Sequence, residues 1–207
     1  MNPLLLKCEN LAHSFYGKTL FKGITIELPP GSSLAITGKN GSGKSTLLKV
    51  IANLIHPARG KVALYSGEKE IPADDHYSYM GMAAPYLNLY DELTGQENLE
   101  FFSSLKGGEA PRIETLLKEA GIYDSRNKSM KNYSSGMKQR LKLCFAQIGK
   151  PAVLLLDEPT TNLDKEGSDV VVNIASRQKE NGILIIATND PAEAALCEKQ
   201  INVEDYR

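Results

Sequence analysis

An excess of charge of either sign is missing from this sequence: 24 Lys and Arg face 25 Asp and Glu over 207 residues, for a formal net charge of -1. The basic footprint of a dedicated nucleic-acid binder is therefore absent, and no nucleic-acid partner is expected. Cysteine is scarce. Cys8, Cys144 and Cys197 are odd in number and far apart, and no pair has the spacing of a zinc or redox motif, so a reducing cytosol fits them best. His13, His56 and His76 fall in no metal-ligand spacing, and no structural metal is expected. Long apolar runs are lacking too. The opening MNPLLLKCEN is too short in its apolar part for a signal peptide, and no later run approaches the roughly 18 residues that cross a bilayer. The chain itself is expected to be soluble. Repeats, low-complexity tracts and long linkers are also absent, with turn signals only at LPPG, HPARG and LKGGEAP.

What is present is 42% hydrophobic side chains, enough for one good core with a small appended lobe. Strand patterns occur at LLLKCENL, GITIELP and SLAIT, followed by a glycine-rich loop and a helix at KSTLLKVIANL. Further strands are expected at KVALYS and YSYMGMA. Helical signals follow: Thr94 and Glu97 have capping-box spacing before NLEFFSSL, Pro111 suits a first helical position before RIETLLKEAGI, and Ser134 or Ser135 can cap GMKQRLKLCFAQI. The remainder alternates strand AVLLLD, helix SDVVVNIASRQKENG, strand ILIIAT and helix PAEAALCE. Short apolar strands between helices imply an α/β fold with a mainly parallel sheet covered by helices, preceded by an N-terminal antiparallel β region. Residues 1–207 are expected to form a single domain, with 1–86 and 133–207 as core and about 87–132 as a helical lobe.

The loop GKNGSGKST, Gly38 to Thr46, fits the G-x-x-x-x-G-K-[ST] phosphate loop of P-loop NTPases through Gly38, Gly43, Lys44 and Ser45. In such a loop the N–H groups, here those of Asn40, Gly41, Ser42, Gly43, Lys44, Ser45 and Thr46, cradle phosphates. The lysine reaches the β/γ oxygens, the Ser45 hydroxyl meets Mg²⁺, and the helix dipole adds to the attraction. A glycine turn between strand and helix is the plainer alternative. It loses ground because AVLLLDEP is an apolar strand ending in Asp157-Glu158, where an aspartate can hold the Mg²⁺ shell and a glutamate can orient water.

With YSSGMKQRLKL, Tyr133 to Leu143, shortly before that acidic strand, the sequence resembles the ATP-binding cassette (ABC) ATPase family from about Phe15 to Asp190. The resemblance implies that Ser134, Ser135 and Gly136 belong to a signature motif and that Thr161 to Asp164 form the loop after the acidic pair. Tyr16 matches the aromatic that stacks on adenine. It also implies ATP and Mg²⁺ as cofactors, a homodimer or heterodimer of cassettes with ATP at the interface, and a membrane permease subunit as partner. The chain would then be cytoplasmic and peripheral at the inner face of the membrane. A soluble, non-transport cassette acting as a mechanical or regulatory module is the alternative.

Two departures from the family stand out. A glutamine expected near the end of the first β-rich region is absent from Tyr77 to Glu92, with Pro85 near its position and Asn88 or the Tyr86 hydroxyl as substitutes. Asn189 stands where the family has a switch histidine, while Met137 replaces the signature's last glutamine. Because Glu158 is retained, an active but slower ATPase is expected, with Glu158 and Asn189 as its catalytic pair. Asn189 as a mere helix cap is the plainer reading. PYLNLY, Pro85 to Tyr90, is the expected permease dock, with packing inside the lobe as the competing role.

Overall fold

The computed structural model describes residues 3–15, 17–106 and 112–207. Tyr16 and Pro111 therefore lie outside the described residues. Strand β1 (Leu4–Phe15) pairs antiparallel with β2 (Lys18–Leu28), in which Phe21, Ile24, Ile26 and Leu28 point inward. Alternation of this kind suits a sheet with one solvated face. Both strands run longer than their apolar stretches suggest, because the ladder continues through the polar residues His13, Ser14, Lys18 and Thr19.

Strand β3 (Ser33–Thr37) leads through the glycine loop into α1 (Lys44–Ile51). Strands β4 (Arg59–Ser66) and β5 (Lys69–Ile71) then complete the first sheet in the order β2-β1-β4-β5. Next comes β6 (Met80–Ala83). It is shorter than expected because Tyr77 and Ser78 end the 3₁₀ turn Ala73–Ser78.

Next comes α2 (Gly95–Leu105), capped as expected: the Thr94 side chain accepts from Glu97 N–H and Glu97 returns the bond to Thr94 N–H. Such a box stabilises a helix start by ~0.5–2 kcal/mol. Helices α3 (Ile113–Glu119) and α4 (Ser135–Ala146) follow, and a separate apolar cluster gathers Leu89, Leu99, Leu117, Tyr133, Leu141 and Cys144.

Strand β7 (Val153–Asp157), α5 (Lys165–Asn181), β8 (Ile183–Ala187), α6 (Pro191–Ala194) and β9 (Lys199–Asn202) close the chain. Every residue of β7 and β8 is buried, as strands covered on both faces require. The second sheet is parallel in the order β6-β7-β8-β3-β9. One sequence expectation needs correction here, and one strand was not expected. α6 stops at Ala194 rather than reaching Glu198, since Leu196 and Cys197 turn inward onto the core. β9 has no sequence signal because it is a short edge strand whose residues are exposed or only half-buried.

Parallel pairing carries the functional residues to one place. β3, β7 and β8 all end at the same sheet edge, so the loops that follow them converge there.

Candidate functional site

The glycine loop is held by its own geometry. A side chain at Gly38 would meet Ser42 Oγ at 2.7 Å, and Gly43 caps α1 with φ 111°, in the left-handed region where glycine carries no steric penalty. Lys44, only 5% exposed, donates from Nζ to Gly38 O (2.9 Å) and Lys39 O (3.4 Å), fixing its charge across the loop.

Asp157 ends β7 at 2% exposure. Its Oδ1 has no hydrogen-bond partner among the described residues, and neither has the buried Ser42 Oγ. Burial raises the Asp157 carboxyl above its usual range. The Ser45 hydroxyl, which hydrogen-bonds it, opposes the rise, Glu158 adds to it, and Lys44 and Lys49 pull it back. An orphaned buried carboxylate oxygen beside a serine hydroxyl, next to a cradle that a Cβ would fill, fits a divalent cation carried in on a polyphosphate.

Glu158, the next residue, adopts φ 45°, a conformation uncommon for a side chain of this size, and its N–H donates to Ala187 O at 2.8 Å. That bond pins the strained residue to the neighbouring strand. Glu158 shares a cleft of about 810 Å³ with the loop residues Asn40, Gly41 and Gly43 to Thr46, while Phe15, Leu20 and Ile55 supply an apolar wall. The glycine loop and Glu158, more than a hundred residues apart in sequence, thus meet.

Asn189 reaches the same loop from β8: its Nδ2 donates to Asn40 Oδ1 at 3.0 Å. The cap of α6 is a different residue. Asp190 accepts from Ala192 N–H at 2.7 Å, so the reading of Asn189 as the helix cap is corrected.

The signature residues face elsewhere. Ser134, rather than Ser135, caps α4 by accepting from Met137 N–H (3.2 Å). Ser134, Ser135 and Gly136 line a cleft of about 390 Å³ with Asn162 and Asp164, and this cleft shares no residue with the phosphate-loop cleft. A side chain at Gly136 would come within 3.1 Å of Asn162 O, so its absence leaves that helix end open. Arg140 donates to Asp164 Oδ1 (2.6 Å), and Gly167 N–H, then Arg140, hold the Asp164 carboxyl below its usual range.

A glycine-rich loop leading into a helix, a buried Asp beside that helix's serine, and a separate helix capped by Ser134 stand together on one fold. The family model described as ABC transporter matches residues 21–161. The chain belongs to the ABC transporter family. It is 32% identical to the bacitracin transport ATP-binding protein BcrA of Enterococcus faecalis, over 89% of this chain and 61% of that protein. It is 31% identical to ABC transporter A family member 12 of Arabidopsis thaliana, over 93% of this chain and 22% of the relative. The chain thus spans less than two thirds of these relatives. Among solved structures, the dimeric cassette MJ0796 superposes with a TM-score of 0.84 at 24% identity, covering 95% of this chain and 93% of that one, a likeness of fold. No helix among the described residues is long and apolar enough to cross a membrane.

Within the cassette, several contributors carry no motif. Gln139 of α4 donates to Pro159 O (2.9 Å), and Thr160 gives both its N–H and its hydroxyl to Oε1 of Glu193, a side chain 3% exposed on α6. These bonds clamp the turn after Glu158 between the signature helix and the Asn189 loop. Lys39 N–H is likewise held by Glu204 near the C-terminus (3.1 Å). Nothing local announces these partners, because Thr160 and Glu193 lie 33 residues apart. Lys49 also carries no motif, but its place four residues after Ser45, on the same helix face, is a signal that could have marked it.

PYLNLY is split by burial. Leu89 is buried in the lobe cluster, whereas Tyr86 is 41% and Tyr90 52% exposed. The Tyr90 ring packs against Phe101 edge-on and Phe102 face-on.

Proposed function

We propose that this cassette binds and hydrolyses ATP to power an ABC transporter, with two cassettes pairing head to tail around the nucleotide. The observation that carries this reading is the separation of the two clefts. Lys44, Ser45 and Glu158 border one, the signature residues border another, and a nucleotide held by both needs a second cassette. The unpaired N–H groups and positive dipole end of α4 suit a γ-phosphate presented by that neighbour.

The residues then divide the work. The loop N–H groups from Asn40 to Thr46 and the Lys44 ammonium bind the phosphates, and the apolar wall at Phe15, with Tyr16 beside it in sequence, receives the base. Ser45 and Asp157 would hold Mg²⁺, which neutralises phosphate charge. Glu158, fixed by its bond to Ala187, accepts a proton from the attacking water, and Asn189 donates a neutral hydrogen bond toward the γ-phosphate. Loss of the γ-phosphate removes what the signature helix grips, so the pair closes on ATP and opens on ADP.

The transport reading draws support from BcrA, which is a transport ATP-binding protein. A permease subunit is the proposed membrane partner, placing the cassette at the cytoplasmic face. Its dock would be the aromatic patch of Tyr90, Phe101 and the exposed Leu105 on α2, rather than the whole Pro85–Tyr90 stretch. In the proposed division, 1–86 and 133–207 are core and about 87–132 lobe, with Tyr133, Leu141 and Cys144 reaching from the core side into the lobe's apolar cluster.

The test is Glu158→Gln, which keeps shape and removes the base. Turnover should fall by about 10²-fold or more, while Mg²⁺-ATP drives a persistent dimer seen by light scattering. A monomeric mutant that hydrolyses at the parent rate, also when the native partner is supplied, sinks the proposal.

A further inference from the structure

Ala83 pairs with Leu156 across the β6–β7 ladder, so the loop leaving β6 starts beside Asp157. Tyr86 is the third residue of that loop. Its backbone is held from two sides: Leu87 N–H donates to Ala84 O (3.1 Å), closing a turn, and Lys142 Nζ donates to Pro85 O (2.8 Å). The ring lies against Lys49, whose Nζ is 3.7 Å from the ring centroid, well within the range of cation–π attraction. Lys49 itself lines the nucleotide cleft with Ser45 and Glu158. Tyr86 is therefore tied by its ring to the wall of the cleft, while the backbone on either side of it is held by the turn that starts beside Asp157 and by Lys142 of α4.

The phenol also has suitable chemistry. Its hydroxyl, like that of any phenol, is a protonated donor through the working pH range. Like an amide it can both donate and accept. Asn88, by contrast, is exposed two residues further along, beyond the turn that holds Tyr86.

We propose that Tyr86 is a further residue of the phosphate site, its hydroxyl donating to the water shell of the cation at Asp157 while Lys49 anchors its ring. The inference rests on the ATPase reading of the site. It gives the cassette a donor where Pro85 stands in place of the family's glutamine. Because the loop carrying Tyr86 leads directly to Tyr90 and α2, it also joins the metal side of the site to the lobe surface.

The test compares the parent protein with Tyr86→Phe, which keeps the ring on Lys49 and removes only the hydroxyl. Mn²⁺ uptake in the presence of an imido-bridged, non-hydrolysable ATP analogue is read by electron paramagnetic resonance, and binding of the analogue alone by calorimetry. Analogue binding without metal should be unchanged. The Mn²⁺ dissociation constant should rise about threefold to tenfold, the scale of one neutral hydrogen bond, and kcat should fall more than KM moves. Tyr86→Gln, which restores a donor, should recover part of the loss. A Tyr86→Phe protein that takes up Mn²⁺ like the parent, or a glutamine variant that recovers nothing, overturns the role of Tyr86 and leaves the ATPase reading standing. A parent that takes up no Mn²⁺ with the analogue brings down that reading, and this inference with it.

Discussion

Asn189 gives the sharpest test, because the bond from its Nδ2 to Asn40 Oδ1 and the cap supplied by Asp190 separate two roles that adjacent residues might have shared. Removing the amide in Asn189→Ala breaks one exposed, neutral hydrogen bond, worth at most ~0.5–1.5 kcal/mol of stability and less for its exposure. Asp190→Ala removes a helix cap worth ~1 kcal/mol, which for a chain of this size lowers the melting temperature by about 2–4 °C. Turnover should respond in the opposite order. Loss of the Asn189 donor should cost ~1 kcal/mol in the transition state, or about fivefold in rate, whereas Asp190→Ala should leave turnover per folded molecule close to the parent. Asn189→His adds a group that titrates near pH 6.5 and donates with charge assistance below that value, so its rate should rise as pH falls through about 6.5. Phosphate release and calorimetric unfolding on all three variants are the measurements. An Asn189→Ala protein as active as the parent refutes a contact with the γ-phosphate, and one as destabilised as Asp190→Ala refutes the assignment of the cap.

Three further outcomes are expected. Lys44→Ala should weaken ATP binding about tenfold or more, the scale of a lost charge-assisted bond, and unchanged binding in equilibrium dialysis would reduce the loop to a structural turn. Asp157→Asn removes a buried carboxyl whose folded-state pKa is raised. Such a group makes the ligand-free protein lose stability as pH rises from the unfolded pKa through the folded one, so the variant should melt higher at neutral pH while losing any Mg²⁺-dependent rise in melting temperature. Unfolding scans with and without Mg²⁺-ATP check both halves. Thr160→Val and Glu193→Gln should each lower kcat more than they raise KM, and in a double-mutant cycle should couple by ~0.5–3 kcal/mol; strict additivity would mean the buried bond positions nothing.

How much of this was legible beforehand follows the range of each interaction. The phosphate loop, the strand ending in Asp157-Glu158, the Thr94 capping box and the α4 cap depend on residues within a few positions of one another, and their chemistry can be read from spacing. The fully buried strands announce themselves by continuous apolar runs. By itself, then, the sequence determined the fold class and marked out the glycine loop and the acidic pair on which the proposed function rests. It left Asn189 divided between sensor and cap, and PYLNLY between dock and core, since neighbours in a chain share every local signal. Only the tertiary structure separated those pairs, by turning Asn189 toward the loop and Asp190 toward α6, and by sinking Leu89 while leaving Tyr90 outside. It also brought Lys49 to Tyr86 and Glu193 to Thr160, contacts that form because parallel strands place distant loops at one sheet edge. No local pattern encodes such contacts, which depend on strand order and register set by the packing of the whole core.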